Sequence, residues 1–234
     1  MSGEWIAQLD GRLCLVADMV PPGARVADVG CDHARIPIAL VSSGRCPLVI
    51  ASDLRRGPLL SARGNVARAG LEDKIELRLC DGLEGIKPGE ADCVVMAGMG
   101  GILITQIMER ASWLKDSSIG LVLQPMRDAH LVRRTLWEEG FALECERAAV
   151  ANHRVYSVLR ARYCGITRHY TLTDCYDGLL SGGGELERRK LEQVVRSLSV
   201  QINGLAGSGK DSQRLETLQT IREELSQRIL QMEY

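Results

Sequence analysis

Short apolar runs alternate with helical patterns through the first 160 residues of this 234-residue chain. The apolar runs predict buried strands at 25–29, 48–53, 75–79, 91–96 and 120–124. Helical patterns lie between them at 36–43, 58–69, 101–112 and 128–139. Strands that alternate with helices form a parallel sheet covered by helices on both faces, so we predict an α/β protein with a doubly wound sheet.

Two further apolar runs, 143–150 and 155–162, are separated by a short break. This spacing predicts a hairpin, and the sheet is therefore expected to end with one antiparallel strand. Residues 166–184 are rich in glycine, aspartate and threonine and are predicted to be a linker. The chain is thus divided into an α/β domain at 1–165, the linker, and a C-terminal element at 185–234.

The C-terminal element repeats apolar side chains at spacings of four and three residues, which alternate in the first of two series and nearly do so in the second. One series is Leu191, Val195, Leu198, Ile202 and Leu205, and the other is Leu218, Ile221, Leu225, Ile229 and Met232. These series predict two helices with coiled-coil-like seams, joined by a turn at 204–212.

Composition excludes several classes of protein. A chain that is 45% apolar and 25% charged is neither disordered nor collagen-like. Its eight cysteines form no C-x-x-C pair and no histidine lies at ligand spacing from them, which argues against a zinc site. The longest apolar run, 94–104, is too short for a membrane span, which needs about 20 residues. With no export signal at the N-terminus, we expect a cytoplasmic protein without metal or membrane contact.

The strongest local signal is the segment 26–34, which ends the first predicted strand and opens the first helix, the ligand-binding position of an open α/β sheet. A dinucleotide site would need the pattern G-x-G-x-x-G, but only Gly30 is present, and Asp32 and His33 fill the loop. A carboxylate there repels phosphate and favours a cation. S-adenosylmethionine fits, with Asp28 or Asp32 on its ammonium and backbone donors near Gly30 on its carboxylate. The alternative is an ordinary turn capped by Asp32.

Polar or glycine residues also follow the next three strands. Asp53 ends the second strand, where an acid accepts hydrogen bonds from ribose hydroxyls. Asp81 and Gly82 follow the third strand, either as a contact to an adenine amino group or as a simple turn. Glycines after the fourth strand let planar ligands approach the backbone. The predicted cofactor-binding residues are Asp28, Gly30, Cys31, Asp32, His33, Asp53, Leu54, Asp81, Gly82, Ala97 and Gly98.

Several of these motifs together resemble the bacterial TrmK-type tRNA methyltransferases. The resemblance covers about residues 5–165 and rests on the segments 27–34 (A-D-V-G-C-D-H-A), 57–58 (G-P), 80–83 (C-D-G-L), 96–101 (M-A-G-M-G-G) and 123–126 (L-Q-P-M), with Leu9 and Arg12 before the first strand. Two positions depart from the family pattern. Arg35 stands where many members have tyrosine, and Asp53 stands where glutamate is frequent.

The resemblance implies a class I, Rossmann-like methyltransferase fold with a C-terminal coiled coil. It also implies methyl transfer from S-adenosylmethionine to N1 of adenine 22 in tRNA, with S-adenosylhomocysteine as the second product. The N1 lone pair attacks the methyl group directly, so positioning is expected to supply much of the acceleration. Asp32 is the candidate catalytic residue that stabilises the cationic product, and His33 the candidate that orients the base.

Adenine N1 lies on the Watson–Crick edge, so the base must be unpaired or extruded into a pocket. We expect this pocket to be lined by Arg12 and by residues of the loops after the fourth and fifth strands. The loop residues are Met99, Gly100, Gly101, Gln124, Pro125 and Met126. Basic residues at the start of the hairpin, Arg188, Arg189, Lys190 and Arg196, are expected to hold the tRNA backbone.

Three alternatives remain from the residues alone. One is a class I methyltransferase that acts on another RNA position or on a small molecule. The second is an NAD-dependent oxidoreductase, against which the missing glycines speak. The third is a binding protein without enzymatic activity, in which the helical seams drive dimerisation. The sequence leaves open whether the protein is a monomer or a homodimer.

Overall fold

The computed structural model of the protein describes residues 9–208 and 211–232. Its centre is a seven-stranded sheet in the order β3-β2-β1-β4-β5-β7-β6. The strands are β1 Val26–Val29, β2 Val49–Asp53, β3 Ile75–Leu79, β4 Cys93–Met99, β5 Gly120–Pro125, β6 Phe141–Ala151 and β7 Arg154–Tyr163. The first five are mutually parallel, and β7 is antiparallel to both of its neighbours. The predicted fold class is therefore confirmed.

One detail of the sheet prediction is wrong. The antiparallel strand β7 does not end the sheet but pairs with β5, and β6 forms the edge. The hairpin itself is present, with Asn152 and His153 at its tip in left-handed backbone conformations. Because β6 runs parallel to the first five strands, its carboxyl end lies at the same edge of the sheet as theirs.

Helices cover both faces of the sheet, as predicted. They are α1 Gly11–Met19, α2 Arg35–Ser42, α3 Arg56–Ala69, α4 Gly101–Arg110 and α5 Ala129–Glu138, with a short 3₁₀ turn at Ser112–Leu114. Adjacent residues of β4 show why both faces need cover. Val95 packs in the cluster that includes α1, α2 and α3, whereas Val94 packs with α4 and α5. Both side chains are fully buried, which explains why the strand has no polar face.

The two long C-terminal helices are α7 Glu185–Ser208 and α8 Ser212–Gln231. All ten predicted seam residues lie in or against one apolar cluster between them. The connection is shorter than predicted, because α7 continues past Gly204. The hairpin packs on β6 and β7, where Glu187 accepts a hydrogen bond from the Ala148 amide at 2.9 Å.

The segment 166–184, predicted to be a linker, is folded from Thr171 onward. It contains α6 Leu172–Asp177, which begins with a capping box formed by Thr171 and Asp174, and a 3₁₀ turn at Leu180–Gly182. Cys175 and Leu180 are buried. Polar composition hid this helix, because its buried side chains are few and pack on other parts of the chain.

No helix in the described residues is long and apolar enough to cross a membrane.

Candidate active site

A cleft of about 700 Å³ opens at the carboxyl edge of the parallel strands. It lies where the chain turns from β1 toward β2 on one side and toward β4 on the other, the usual ligand position in such sheets. All eleven predicted cofactor residues line it: Asp28, Gly30, Cys31, Asp32, His33, Asp53, Leu54, Asp81, Gly82, Ala97 and Gly98. They come together because loops after neighbouring parallel strands meet at one edge.

The loop between β1 and α2 has an unusual backbone. Gly30, Asp32 and Ala34 have φ of 73°, 49° and 56°. For a residue other than glycine, this conformation costs roughly 1–2 kcal/mol. The N-cap of α2 is Ala34, which forms no side-chain cap, so the interpretation of a turn capped by Asp32 is wrong. The amides of Gly30 and Cys31 both donate to the Ser52 carbonyl, at 2.8 and 2.9 Å, which anchors the loop to β2.

Two buried carboxylates form the floor of the cleft. Asp28 is 3% exposed and Asp53 is 6% exposed. The Asp53 carboxylate accepts hydrogen bonds from the backbone amides of Asp32 at 3.3 Å and Arg55 at 2.9 Å. It therefore connects the loops after β1 and β2. Burial, followed by the charge of Asp53, raises the pKa of Asp28 to about 7.

This floor fits a cationic ligand. A ligand with an ammonium or sulfonium group would offset the cost of holding two acids close together in a poorly hydrated site. The hydroxyl of Ser52, beside Asp53, is buried in the cleft wall and has no hydrogen-bond partner among the described residues. An unsatisfied hydroxyl in the wall is a further group available to a polar ligand.

The raised pKa of Asp28 makes stability depend on pH. Between the unfolded value of 3.8 and about 7, the folded protein binds more protons than the unfolded chain. The stability that comes from protonation of Asp28 in the folded protein is thus present at acidic pH and is lost as the pH rises through 7. We expect the cofactor-free Asp28→Asn variant to lose less unfolding free energy than the wild type between pH 5 and 8, measured by urea denaturation. Parallel curves for the two proteins would contradict this.

The far side of the cleft joins a paired acid to an apolar wall. Asp81 accepts a hydrogen bond from the Arg110 guanidinium at 2.9 Å, which lowers the pKa of its carboxyl below the usual range. Gly82 packs against Ile107, so close that a Cβ atom would lie 3.1 Å from that side chain. Leu103 and Ile107 line this part of the cleft. Asp81 therefore lies at the predicted place but already has a cationic partner.

The candidate catalytic residues Asp32 and His33 lie at the mouth of the cleft. Their side chains are 63% and 44% exposed, and Asp32 Oδ2 lies 3.5 Å from His33 Nε2. The backbone carbonyl of His33 accepts a hydrogen bond from Asn65 on α3 at 2.8 Å. The loop that carries the two residues is thus fixed, while both side chains remain accessible to a second ligand.

The loops after β4 and β5 are joined by backbone hydrogen bonds. Met126 donates to the Met99 carbonyl at 2.8 Å, and Gly101 donates to the Arg127 carbonyl at 2.9 Å. A Cβ atom on Gly101 would lie against the backbone carbonyl oxygen of Asp128. Only a glycine permits this approach.

The Gln124 side chain also holds this region in place through hydrogen bonds. The fully buried Gln124 uses its Oε1 atom to accept from Arg12 Nη1 at 2.6 Å and from the Gly98 amide at 3.1 Å. Of the predicted substrate residues in this region, three line the cleft, namely Arg12, Met99 and Met126. The other four are not among its lining residues; these are Gly100, Gly101, Gln124 and Pro125. Gln124 and Gly101 shape the pocket without facing its interior.

The four basic residues at the start of the hairpin do not share one face. Lys190 donates from Nζ to the Val155 carbonyl on β7 at 3.1 Å, and burial lowers its pKa to about 8. Arg188 and Arg196 both approach Glu192, at 3.4 and 4.0 Å. Arg189 is exposed. Lys190 was expected to hold the tRNA backbone with the three arginines, but its side chain packs against the sheet. None of the four lines the cleft.

Sequence reasoning missed several residues of the cleft. Arg35 and Arg55 line it, as do Ser52, Leu103 and Ile107. Arg35 and Arg55 could have been found, because they directly follow the loops after the first two predicted strands. Cys31, by contrast, carries no mark of a nucleophile. Burial, followed by neighbouring acids, raises the pKa of its thiol well above the usual value.

The strand order, the cleft at the carboxyl edge and its acidic floor define a class I methyltransferase. Residues 9–159 match the model of a family described as a methyltransferase domain. The chain is 35% identical over 223 residues to the tRNA (adenine(22)-N(1))-methyltransferase of Bacillus subtilis, covering 94% of this chain and 87% of that protein. The chain belongs to the tRNA (adenine(22)-N(1))-methyltransferase family.

Solved structures agree with this assignment. The crystal structure of the B. subtilis M1A22 tRNA methyltransferase TrmK is similar, with 31% identity and a TM-score of 0.84 over 95% of this chain and 99% of that one. A Streptococcus pneumoniae protein in complex with S-adenosyl-L-methionine shares 28% identity, with a TM-score of 0.80 over 93% of this chain and 98% of that one.

Proposed function

We propose that this protein is a cytoplasmic enzyme that transfers a methyl group from S-adenosylmethionine to N1 of adenine 22 in tRNA. The observation that carries the proposal is the acidic cleft at the carboxyl edge of a methyltransferase sheet, in a chain of this family. Asp28, Asp53 and the backbone of the loop at Gly30 would hold the cofactor. A simple NAD site is disfavoured, because Asp32 and His33 occupy the phosphate-binding loop.

The cofactor supplies a methyl group that is electrophilic because it is bonded to a sulfonium. Adenine N1 carries an in-plane lone pair at neutral pH, so the protein need not remove a proton before the attack. Its tasks are to place N1 in line with the methyl group and to stabilise the positive charge that grows on the base. Asp32, exposed at the cleft mouth, has the charge for the second task, and His33 beside it is placed to orient the base.

The base must leave its stack to reach this position. Met99 and Met126 line the acceptor side of the cleft, and the joined loops that carry them give the base a fixed wall. Met126 is 42% exposed, so its side chain is available to contact an extruded base.

The direct test uses purified protein, labelled S-adenosylmethionine and unmodified tRNA transcripts, followed by digestion to nucleosides. We expect 1-methyladenosine, and we expect it to disappear when adenine 22 alone is replaced. Label in another nucleoside would refute the acceptor assignment. Cofactor binding without any transfer to tRNA would favour a small-molecule acceptor or a non-enzymatic binding protein.

We also propose that the C-terminal hairpin contacts the tRNA backbone. Its seam residues pack on one another within a single chain, which leaves the alternative of seam-driven dimerisation with little support. The double variant Arg189→Gln, Arg196→Gln should bind tRNA more weakly and with a smaller salt dependence, because two positive charges are removed. Its affinity for the cofactor should stay unchanged.

The matched control is Lys190→Met, which removes a charge from a side chain that faces β7. We expect that variant to keep the salt dependence of the wild type in a filter-binding assay. If the Arg189 and Arg196 variant also binds tRNA like the wild type, the hairpin does not hold the RNA through these charges.

A further inference from the structure

Three arginines at the rim of the cleft have no side-chain partner in the part of the chain that the structure describes. Arg35 begins α2, and Arg55 and Arg56 flank the start of α3. Arg35 and Arg55 line the cleft, and all three residues are exposed. Their guanidinium groups form no hydrogen bond and no ion pair with any residue in 9–208 or 211–232. We call these three residues the arginine rim.

Many other arginines in this chain are neutralised. Arg25 bonds Asp92 at 2.6 Å, Arg78 bonds Glu90 at 2.7 Å, and Arg110 bonds Asp81 at 2.9 Å. Acids thus pair with arginines elsewhere in the chain, and even at the cleft, where Asp81 pairs with Arg110. Neither α2 nor α3 has an acidic residue in its first turn. Positive charge at the start of a helix is unfavourable, so folding alone does not favour this arrangement.

Charge in the cleft is separated by depth. The floor is acidic, with Asp28 and Asp53 both buried. The exposed mouth carries the three arginines of the rim together with the Asp32 carboxylate, and Asp81 there is already paired with Arg110. The floor suits the cationic groups of the cofactor, which has a single carboxylate. Three free guanidinium groups exceed what that one carboxylate can pair with. A planar guanidinium matches two oxygens of a phosphate, so the rim is suited to a ligand with several phosphates in a row.

Two exposed leucines adjoin the rim. Leu54 is 65% exposed and Leu60 is 67% exposed, and Leu54 also lines the cleft. An RNA strand has both of the required chemistries, since phosphates alternate with sugars and bases that present apolar surface. A free anion would use the arginines only.

We propose that Arg35, Arg55 and Arg56 bind the phosphates of the nucleotides next to the target adenine as it enters the cleft. This inference rests on the proposed function and adds a tRNA-binding surface on the α/β domain, apart from the hairpin. The acidic floor and the basic rim then hold the two substrates in one cleft by opposite charge.

The test compares the triple variant Arg35→Gln, Arg55→Gln, Arg56→Gln with a control, Lys74→Gln with Lys87→Gln. Both control lysines are exposed, and neither lines the cleft. Lys74 lines a groove at the opposite edge of the sheet, and the Lys87 amide donates to Glu90 of the same groove. Binding of unmodified tRNA transcript is measured at several salt concentrations. Each lost phosphate contact should reduce the magnitude of the negative slope of log K against log salt by about 0.7–0.9, so the loss of three contacts should reduce it by about 2.1–2.7. The control should keep the wild-type slope.

Cofactor titration without tRNA gives the second readout. We expect the triple variant to bind S-adenosylmethionine as the wild type does, which also shows that it is folded. An unchanged tRNA slope would overturn the proposal, and a loss confined to cofactor affinity would assign the arginines to the cofactor instead. If the wild-type protein itself does not bind tRNA, both the proposed function and this inference are refuted. If the wild type binds tRNA and the triple variant has the same salt slope, only this inference is refuted.

Discussion

Replacement of Arg133 by methionine is expected to lower the free energy of unfolding by about 3–5 kcal/mol. The Arg133 and Glu146 side chains are 2% and 0% exposed, and they are joined by two hydrogen bonds of 2.6 and 3.1 Å. Arg133 Nη1 also donates to the carbonyls of Cys175 and Tyr176, at 2.7 and 3.0 Å. Without Arg133, the Glu146 carboxylate would remain buried without its cation, and α6 would lose two hydrogen bonds to α5.

The control is the double variant Arg133→Met with Glu146→Leu, which removes both charges and keeps the volume similar. Burial of an apolar pair avoids the cost of an isolated charge, so the double variant should be more stable than the single one. Urea denaturation of all three proteins measures the difference. A double variant as unstable as Arg133→Met would show that the lost carbonyl contacts, and not the stranded carboxylate, cause the destabilisation.

The second large effect is expected for Gly101→Ala. The added Cβ atom would press on the Asp128 carbonyl oxygen and lie 2.8 Å from its carbonyl carbon and 3.0 Å from the Arg127 carbonyl oxygen. All of these atoms belong to the backbone, so the loops after β4 and β5 must separate. A displacement of about 1 Å in an active site can cost about 100-fold in rate. We expect a loss of that order in single-turnover methyl transfer to tRNA.

Gly64→Ala provides the matched control. Gly64 lies within α3, and a Cβ atom there would have nothing within 4 Å. Alanine should stabilise that helix by roughly 0.5–1 kcal/mol and leave the rate of methyl transfer unchanged. If Gly101→Ala transfers methyl groups at the rate of Gly64→Ala, the close approach of the two loops is unimportant for the reaction.

Burial explains how much of the fold was predictable. The strand at 75–79 was predicted with the bounds that the structure gives it, and β4 extends three residues beyond its predicted end, through Met99. Runs of apolar residues between turns locate buried strands, because these strands have no polar face. The cleft residues were predictable for a related reason: the carboxyl ends of parallel strands converge, so residues just after each strand meet.

The predictions were wrong where contacts between residues distant in the sequence determine the structure. Helical spacing shows which residues of α7 share a face but not which face docks on the sheet, and Lys190 was misplaced for that reason. The short helix α6 is bonded to Arg133, which is 42 residues from Cys175 in the sequence. A hairpin pattern also does not say which of its strands pairs with β5, and β7 took that position.

The Oε1 atom of Gln124 has a dynamic consequence. This one oxygen accepts hydrogen bonds both from the guanidinium of Arg12 on α1 and from the amide of Gly98 beside the cleft. If α1 unfolds locally, Gln124 Oε1 loses its hydrogen bond from Arg12. The Gln124 side chain is then less firmly held, and its hydrogen bond from the Gly98 amide is weakened. Hydrogen exchange at Gly98 should therefore rise and fall with the opening of α1. The order of a helix that precedes the sheet thus sets how long the acceptor side of the cleft keeps its shape.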